Sequence, residues 1–333
     1  MTVDRDKFTG SLIGQCLGDA LGFIVEGESP AVCQRYVDAV VRPGNTRGQR
    51  RGHFPFGQYS DDSQLAREFL ISVVDRGRFD AADYASRIAA LFREDRIVGR
   101  GRATSCAAAR LIQGVPWDRA GEPAPSAGNG SAMRAGPVGL LCFRSPGDLI
   151  RIAHDQGRIT HQDRRCSAGA IAVAGAVALA LRERSVHVLE FVAHLSALTE
   201  PFDPILASGL RGIPRWLGQS PSNAATEIST IGVEPPLDEE WQGISPFVTT
   251  SVLWSIYSFL GSPDDFVECI STAIAVGGDV DTTAAMAGAI SGARVGLHQI
   301  PQQLAHQLND NGAWGRDELV ALTRRFHSLV KQE

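Results

Sequence analysis

The stretch GGDVDTTAAMAGAISGARVG, residues 277–296, constrains the fold of this chain more than any other part of it. Its apolar side chains recur at every third or fourth position, which predicts a helix over residues 282–297 with one face buried. Glycine recurs at every fourth position from Gly288, so a second element can approach this helix closely. Asp279 and Asp281 stand at the predicted helix entrance, where the free backbone N–H groups of the first turn lie.

Two acids at one helix entrance exceed what a cap requires, because capping uses only one side chain. A second stretch, QYSDDSQLAREFLISVVDRG, repeats the chemistry: Ser60 is predicted to cap a helix that carries Asp61 and Asp62 in its first turn. Four acids brought together would repel one another strongly unless cations lay between them. Carboxylate and hydroxyl oxygens suit Mg²⁺, Mn²⁺ or Ca²⁺, so the pattern predicts two divalent ions.

The composition is that of an ordinary soluble globular protein, with 44% hydrophobic and 21% charged residues. A net charge of -5 argues against a general nucleic-acid binder, since no basic face is implied. The six cysteines are scattered without any CxxC pair, which predicts reduced thiols. The amino-terminal residues are charged and show no secretory signal, so we expect a cytoplasmic protein.

Residues 167–181 form the most apolar segment of the chain, SAGAIAVAGAVALAL. This segment is shorter than the roughly 20 residues that a membrane span needs, and alanine dominates it. We therefore predict a central buried helix at this position.

Helical spacing recurs along nearly the whole chain, and no set of alternating strands or βαβ unit is apparent. The sequence therefore predicts an all-α protein, with a single domain over residues 1–333. Two irregular regions are expected besides the loop over residues 42–57: residues 116–130, and residues 201–246 with their seven prolines. We predict that the second is a surface excursion with short helices. The other predicted helices cover residues 8–22, 81–92, 103–112, 186–198, 247–259, 264–275 and 317–329, and begin near residues 134, 148 and 167.

Five blocks in a fixed order carry a resemblance to a known family. They are GSLIGQCLGDALGFIVEG from Gly10, YSDDSQLA from Tyr59, SAGNGSAMRAGPVGLL from Ser126, ITHQDRRCSAGAIAVAGA from Ile159 and GGDVDTTAAMAGAISGA from Gly277. Together they resemble the ADP-ribosylglycohydrolases, which include dinitrogenase reductase-activating glycohydrolase and the ADP-ribosyl-acceptor hydrolases. The resemblance implies an orthogonal helical bundle around a dinuclear Mg²⁺ or Mn²⁺ site.

The same resemblance implies the site residues. The metal ligands would be Ser60, Asp61, Asp62, Asp279, Asp281 and Thr282, although the family usually has threonine at the first of these positions. The residues that line the ADP-ribose pocket would be Asn129, Gly130, Ser131 and Met133, with His161 near the nucleotide or ribose. Glycines in this loop make physical sense, because a diphosphate needs backbone N–H groups at close range.

The activity implied is metal-dependent hydrolysis of the N- or O-glycosidic bond between ADP-ribose and an acceptor, which reverses ADP-ribosylation and releases ADP-ribose. Such cleavage passes through an oxocarbenium-like state, and metal ions would orient the ribose and a water molecule. The general base is Glu26 or Asp279, with Asp62 as a further catalytic candidate. Glu26 would lie on a mobile loop over the site; otherwise it is a solvated residue after the first helix. Asp19 is expected either to have a structural role or to support the metal ligands without binding a metal itself.

Other interpretations stay open at this point. The segment DVDTT also matches the D-x-D-x-T pattern of aspartyl-phosphate phosphatases, which requires a parallel strand before the first acid. A non-catalytic ADP-ribose-binding protein of the same fold is a further alternative. The nitrogenase-regulating branch is proposed to use an aspartate shortly before the helix that here begins near Ala103, and GRGRATSC contains no acid. The acceptor is an arginine, a serine, another side chain, a nucleic-acid end or a small molecule.

Overall fold

The computed structural model describes residues 4–233 and 241–331, and its regular structure is almost entirely helical. The prediction of an all-α fold is confirmed. The first helices are α1 (Arg5–Phe23), α2 (Pro30–Tyr36), α3 (Asp61–Arg76), α4 (Ala81–Arg93), α5 (Arg102–Ile112), α6 (Trp117–Ala120), α7 (Gly136–Leu141), α8 (Pro146–Arg158) and α9 (Arg164–Arg182). They are followed by α10 (Val188–Thr199), α11 (Pro204–Trp216), α12 (Pro221–Ile228), α13 (Val248–Gly261), α14 (Phe266–Ala275), α15 (Val280–Val295), α16 (Gln302–Ala305) and α17 (Arg316–Val330).

The tightest helix pair is formed by α1 and α15, which run antiparallel in backbone contact. A Cβ atom built on Gly14 would lie 2.4 Å from the carbonyl oxygen of Gly288, and one on Gly18 would lie 2.1 Å from that of Ala284. Real Cβ atoms do not approach a carbonyl so closely, so only glycine allows this packing. The predicted close approach at Gly288 is confirmed, and its partner is the first helix. This packing brings the carboxyl end of α1 beside the entrance of α15.

Helix α9 lies at the centre of the fold, as predicted for the apolar segment 167–181. It packs against α7, α8, α10, α13 and α15. Among the described residues, α9 alone is long and apolar enough to span a membrane by length and composition, but 89% of its most apolar window is buried inside the fold. That burial identifies α9 as the core helix of a folded domain.

The structure differs from the sequence-based prediction in several connecting regions. Residues 204–216 of the proline-rich region form a full helix, α11, whose Leu206, Leu210 and Ile213 are completely buried in the core. The proline at its first turn is compatible with a helix start, which explains why proline content misled the prediction. Residues 234–240 of that region lie outside the described residues. That the chain forms one domain stays a prediction.

Helices α2 and α16 were not predicted, nor were the following two elements. Helix α2 continues into a π-helical turn, Val37–Val41, and a two-stranded antiparallel hairpin pairs Arg50–Arg51 with Phe54–Pro55. The expected irregular region 116–130 contains the short helix α6 and a 3₁₀ turn, Asn129–Ser131.

Candidate active site

The entrance of α3 satisfies its own backbone and still leaves a carboxylate oxygen free. Ser60 is the N-cap: its Oγ accepts a hydrogen bond from the Asp62 N–H and donates to Asp62 Oδ2 at 2.7 Å. The backbone N–H of Asp61 donates to the Val98 carbonyl at 2.7 Å. Asp62 Oδ1 is buried and has no hydrogen-bond partner among the described residues. Since an unpaired buried acceptor is costly, this atom fits a site built for a cation.

Asp19 supports that entrance from helix α1. Its side chain is fully buried, and its two oxygens accept the backbone N–H groups of Ser60 at 2.8 Å and Ser63 at 3.1 Å. A carboxylate in this position fixes the turn that presents Asp61 and Asp62. The structural role expected for Asp19 therefore has a defined geometry.

The entrance of α15 is arranged differently. Gly277 and Gly278 both adopt positive φ, which a residue with a side chain rarely does. Asp279 is the N-cap residue, but its side chain makes no capping hydrogen bond. Its Oδ2 accepts a hydrogen bond from Asn129 Nδ2 at 2.6 Å. Helix capping therefore does not explain Asp279.

The two helix entrances meet. Thr282 Oγ1 donates to Asp62 Oδ2 at 3.4 Å, which links the residues across the site. Two sets of carboxylates each bring ligand oxygens within 4.8 Å of one another, and Asp281 belongs to both sets. The sets are Asp19, Asp62 and Asp281, and Glu26, Asp279 and Asp281. We call these five residues, together with Asp61, the acid cluster.

Among the described residues, the five aspartates of the acid cluster form no ion pair with a basic side chain, and the ion pairs of the cluster are confined to Glu26. Burial, followed by the charges of neighbouring carboxylates, raises the pKa of Asp61, Asp62 and Asp281 well above the ordinary range. Burial is also the main cause that raises the pKa of Asp19 and Asp279 to about 7. Protons or cations are thus required to hold these groups together, and an all-oxygen donor set favours hard divalent ions.

Glu26 lies at the edge of the cluster and is partly exposed, with 24% of its side chain accessible. It forms an ion pair with Arg51 of the hairpin, whose guanidinium also lies over the Phe23 ring, 4.6 Å from its centroid. The segment after it is tied to the α15 entrance, because Gly27 N–H donates to the Gly278 carbonyl and Gly278 N–H donates to the Glu28 carbonyl. Glu26 is therefore held beside Asp279 by its own loop. No sequence pattern indicated that it would pair with Arg51.

The 3₁₀ turn Asn129–Ser131, which the resemblance assigned to the ADP-ribose pocket, borders the acid cluster. Asn129 reaches Asp279, and Gly130 packs against His161, since a Cβ at this glycine would lie 2.6 Å from His161 Cε1. The Ser131 hydroxyl donates to the Cys166 carbonyl at 2.8 Å, so the fold itself occupies it. Met133 is buried, and its carbonyl accepts from Gln15 Nε2 at 3.0 Å. Ser131 and Met133 therefore support the turn through hydrogen bonds within the fold.

Three observations bear on the alternatives left open by the sequence. The phosphatase hypothesis is wrong, because Asp279 follows helix α14 and no parallel strand precedes it within residues 241–278. Asp95, the acid nearest to GRGRATSC, is 80% exposed and pairs with Arg100, so it does not replace the missing aspartate. Gly99 packs directly against the entrance of α3, because a Cβ there would lie 3.1 Å from Asp61 Oδ1.

A cavity of about 640 Å³ is lined in part by Ala275 and Val276, the two residues that precede the Gly277–Gly278 turn. It is lined by Pro30, Gly243, Val276 and residues of α12, and none of the clustered carboxylates lines it. The cavity therefore contains none of the predicted metal ligands.

The sequence model of the ADP-ribosylglycohydrolases matches residues 1–333. The chain belongs to the ADP-ribosylglycohydrolase family. It is 30% identical to mouse ADP-ribosylhydrolase ARH3, over 98% of this chain and 92% of the relative. It is 27% identical to the ADP-ribosyl-[dinitrogen reductase] glycohydrolase of Rhodospirillum rubrum, over 89% of this chain and 88% of the relative.

The fold comparison agrees with the family. A solved chain described as an ADP-ribosylglycohydrolase-related protein complex superposes with a TM-score of 0.72 at 26% identity, covering 99% of this chain and all of that chain. The prediction of an enzyme of the glycohydrolase class is confirmed by this membership. The roles of individual site residues stay predictions.

Proposed function

We propose that this protein hydrolyses the bond between C1 of a ribose in ADP-ribose and the acceptor atom of an ADP-ribosylated molecule, and releases ADP-ribose. The observation that carries the proposal is the meeting of two carboxylate sets that share Asp281, directly beside the Asn129–Ser131 turn. A cation cluster next to a glycine-containing turn suits a substrate that combines a ribose diol with a diphosphate.

The acid cluster fits two divalent cations, Mg²⁺ or Mn²⁺. Asp62 Oδ1 is a buried acceptor without a hydrogen-bond partner among the described residues, and the raised pKa values of Asp61, Asp62 and Asp281 indicate that positive charge would be stabilising there. Bound cations would supply charge stabilisation and orientation for the ribose hydroxyls and a water molecule. Their ligands would come from Ser60, Asp61, Asp62, Asp279, Asp281 and Thr282.

Side chains of the protein would orient the site and accept a proton during the reaction. Asn129 holds the Asp279 carboxylate through a 2.6 Å hydrogen bond and fixes its orientation. Glu26 is the cluster carboxylate that reaches solvent, so we assign it as the general base. In the reaction the C1–acceptor bond breaks, the water oxygen bonds to C1, one water proton passes to Glu26 and the acceptor leaves with the bonding pair. The held geometry of water and C1 supplies part of the rate gain.

The direct test is a panel of substrates with defined linkages: ADP-ribosyl-arginine, ADP-ribosyl-serine and 3′- or 5′-phosphate-linked ADP-ribose on nucleic acid. We expect release of ADP-ribose from at least one of them in the presence of Mg²⁺. The matched control is Asp281→Asn, which should release none. Turnover of no member of the panel by the wild-type protein would overturn the proposal.

Binding of the product distinguishes catalysis from mere recognition. ADP-ribose should raise the melting temperature in the presence of Mg²⁺, and ADP should raise it less, because ADP lacks the terminal ribose diol. Strong binding of ADP-ribose without any turnover would favour the non-catalytic alternative. We further propose a cytoplasmic location, for which the free thiols of Cys16, Cys33, Cys106, Cys166 and Cys269, four of them buried, are the supporting observation.

A further inference from the structure

Arg134 is a fully buried cation just after the Asn129–Ser131 turn. Its Nε donates to Gln156 Oε1 at 2.9 Å, and its Nη2 donates to the Gln156 carbonyl at 2.9 Å and to Thr160 Oγ1 at 2.8 Å. Within residues 4–233 and 241–331, no carboxylate forms an ion pair with it. A guanidinium has only donors, so Thr160 Oγ1 must accept in this contact.

The hydroxyl proton of Thr160 then needs an acceptor. Thr160 is fully buried, and the His161 ring atom Nδ1 lies 2.8 Å from its Oγ1. If Nδ1 carried the ring proton, the Thr160 proton would be left without a partner, which costs about 1–3 kcal/mol for a buried group. The arrangement is satisfied only when Thr160 donates to Nδ1, and a neutral histidine then carries its proton on Nε2.

The other ring nitrogen faces the glycine-containing turn. A Cβ built on Gly130 would lie 3.1 Å from His161 Nε2, and one built on Gly128 would lie 3.5 Å from it. Among the described residues, Nε2 has no hydrogen-bond partner, while Nδ1 has Thr160. Burial and the nearby Arg134 charge lower the pKa of His161 to about 3, so the ring stays neutral.

The family resemblance already implies that His161 lies near the nucleotide or ribose. We propose that Arg134 and Thr160 are positioning residues for it: they fix His161 as the Nε2–H tautomer, so that this N–H donates to an oxygen of ADP-ribose beside Gly128 and Gly130. The ligand contact rests on the proposed function, whereas the tautomer rests on the hydrogen bonds alone. A site that offers a fixed donor favours an acceptor without a proton of its own, such as a diphosphate oxygen.

The tautomer is measured directly by long-range ¹H–¹⁵N correlation spectra of the histidine rings, with His161→Gln to identify the His161 signals. We expect the cross-peak pattern of a neutral Nε2–H ring, unchanged between pH 5.5 and pH 8. The wild-type protein suffices for this measurement. An Nδ1–H pattern, or a ring that protonates within that range, would overturn the proposal.

Two matched variants test the relay. Thr160→Val keeps the shape and removes the hydroxyl, and should populate the Nδ1–H tautomer; Thr160→Ser restores the hydroxyl and should restore the wild-type pattern. ADP-ribose affinity in Mg²⁺ should fall roughly three- to tenfold in Thr160→Val, the value of one hydrogen bond, and recover in Thr160→Ser.

The outcomes separate the two proposals. An unchanged tautomer in a folded Thr160→Val protein would contradict the relay even if ADP-ribose binds and is produced. A confirmed Nε2–H tautomer in a protein that does not bind ADP-ribose would support the relay, but would refute the ligand contact and the proposed function.

Discussion

The two helix entrances that form the acid cluster look alike in sequence and differ in structure. At α3, Ser60 caps the helix, so the local backbone is satisfied by a residue inside the motif. At α15, Asp279 occupies the N-cap position without capping, and its carboxylate is held by Asn129, 150 residues away in the chain. The first entrance therefore depends on local chemistry, while the second depends on tertiary structure. Acids that do not serve their own helix are available to bind a ligand.

The largest expected effect comes from the residue that joins both carboxylate sets. Asp281→Asn keeps the size of the side chain and removes its charge. Because charge stabilisation by bound metal ions is worth several kcal/mol, kcat/KM should fall about a thousandfold or more. Asp61→Asn should act in the same direction from the other entrance. Helical content measured by circular dichroism should stay unchanged, and near-normal activity in Asp281→Asn would show that the shared carboxylate is not needed.

A smaller effect is expected at the partly exposed edge of the cluster. Glu26→Gln should lower kcat about a hundredfold, the scale of losing a positioned acid–base group, with little change in ADP-ribose affinity. If Glu26 were only a solvated residue after α1, stability would change by no more than about 0.5 kcal/mol and turnover would be untouched. Steady-state kinetics with a substrate of known linkage decides between them. Unchanged kcat would transfer the role of general base to Asp279.

The pH dependence of stability should show that the buried aspartates of the acid cluster lack a positive partner. The pKa of Asp19 and of Asp279 is about 7 in the folded protein, above the ordinary value of about 3.9. The folded state then binds more protons than the unfolded state, so the contribution of these groups to stability falls as pH rises from about 4 to about 7. Cations replace the protons, so the melting-temperature gain from Mg²⁺ should be small at pH 5 and larger at pH 7.5. Asp281→Asn should flatten this trend; a gain independent of pH in the wild-type protein would contradict the account.

The smallest effects separate the two entrances most cleanly. In the metal-free protein, Ser60→Ala removes a cap and should lower the free energy of unfolding by about 1 kcal/mol. Asp279→Asn removes a buried charge that caps nothing, and should raise the free energy of unfolding by a similar amount, about 1 kcal/mol. Urea unfolding in the presence of chelator measures both. Loss of stability in Asp279→Asn would mean that its carboxylate has a structural role after all.

Sequence patterns predicted the parts of this molecule that depend on neighbouring residues. The helix that begins after Ser60, its cap and its end at Gly77 follow from local spacing, and the structure reproduces them. The glycine spacing from Gly288 also predicted a close helix contact, although it did not name α1 as the partner. The prediction was wrong where it relied on composition instead of periodicity. The proline content of residues 201–246 predicted an irregular region, but α11 begins with Pro204, a position at which a helix tolerates proline.

The parts that sequence could not supply are the long-range contacts of the site. Nothing in the spacing of residues indicates that Asn129 binds Asp279 or that Arg51 pairs with Glu26. The two oxygens of Asp19, each bound to a backbone N–H of the Ser60 turn, are equally invisible in sequence. Family resemblance placed Asn129 near the ligand, and the structure shows which carboxylate it contacts.

The central claim is that hydrolysis depends on cations held by the acid cluster. The most direct test is the rate of ADP-ribose release, from whichever defined linkage the protein cleaves, after exhaustive chelation and during titration with Mg²⁺. The account predicts no measurable release from the metal-free protein, and recovery that saturates as two ions bind per chain. Full activity of the metal-free protein would contradict it.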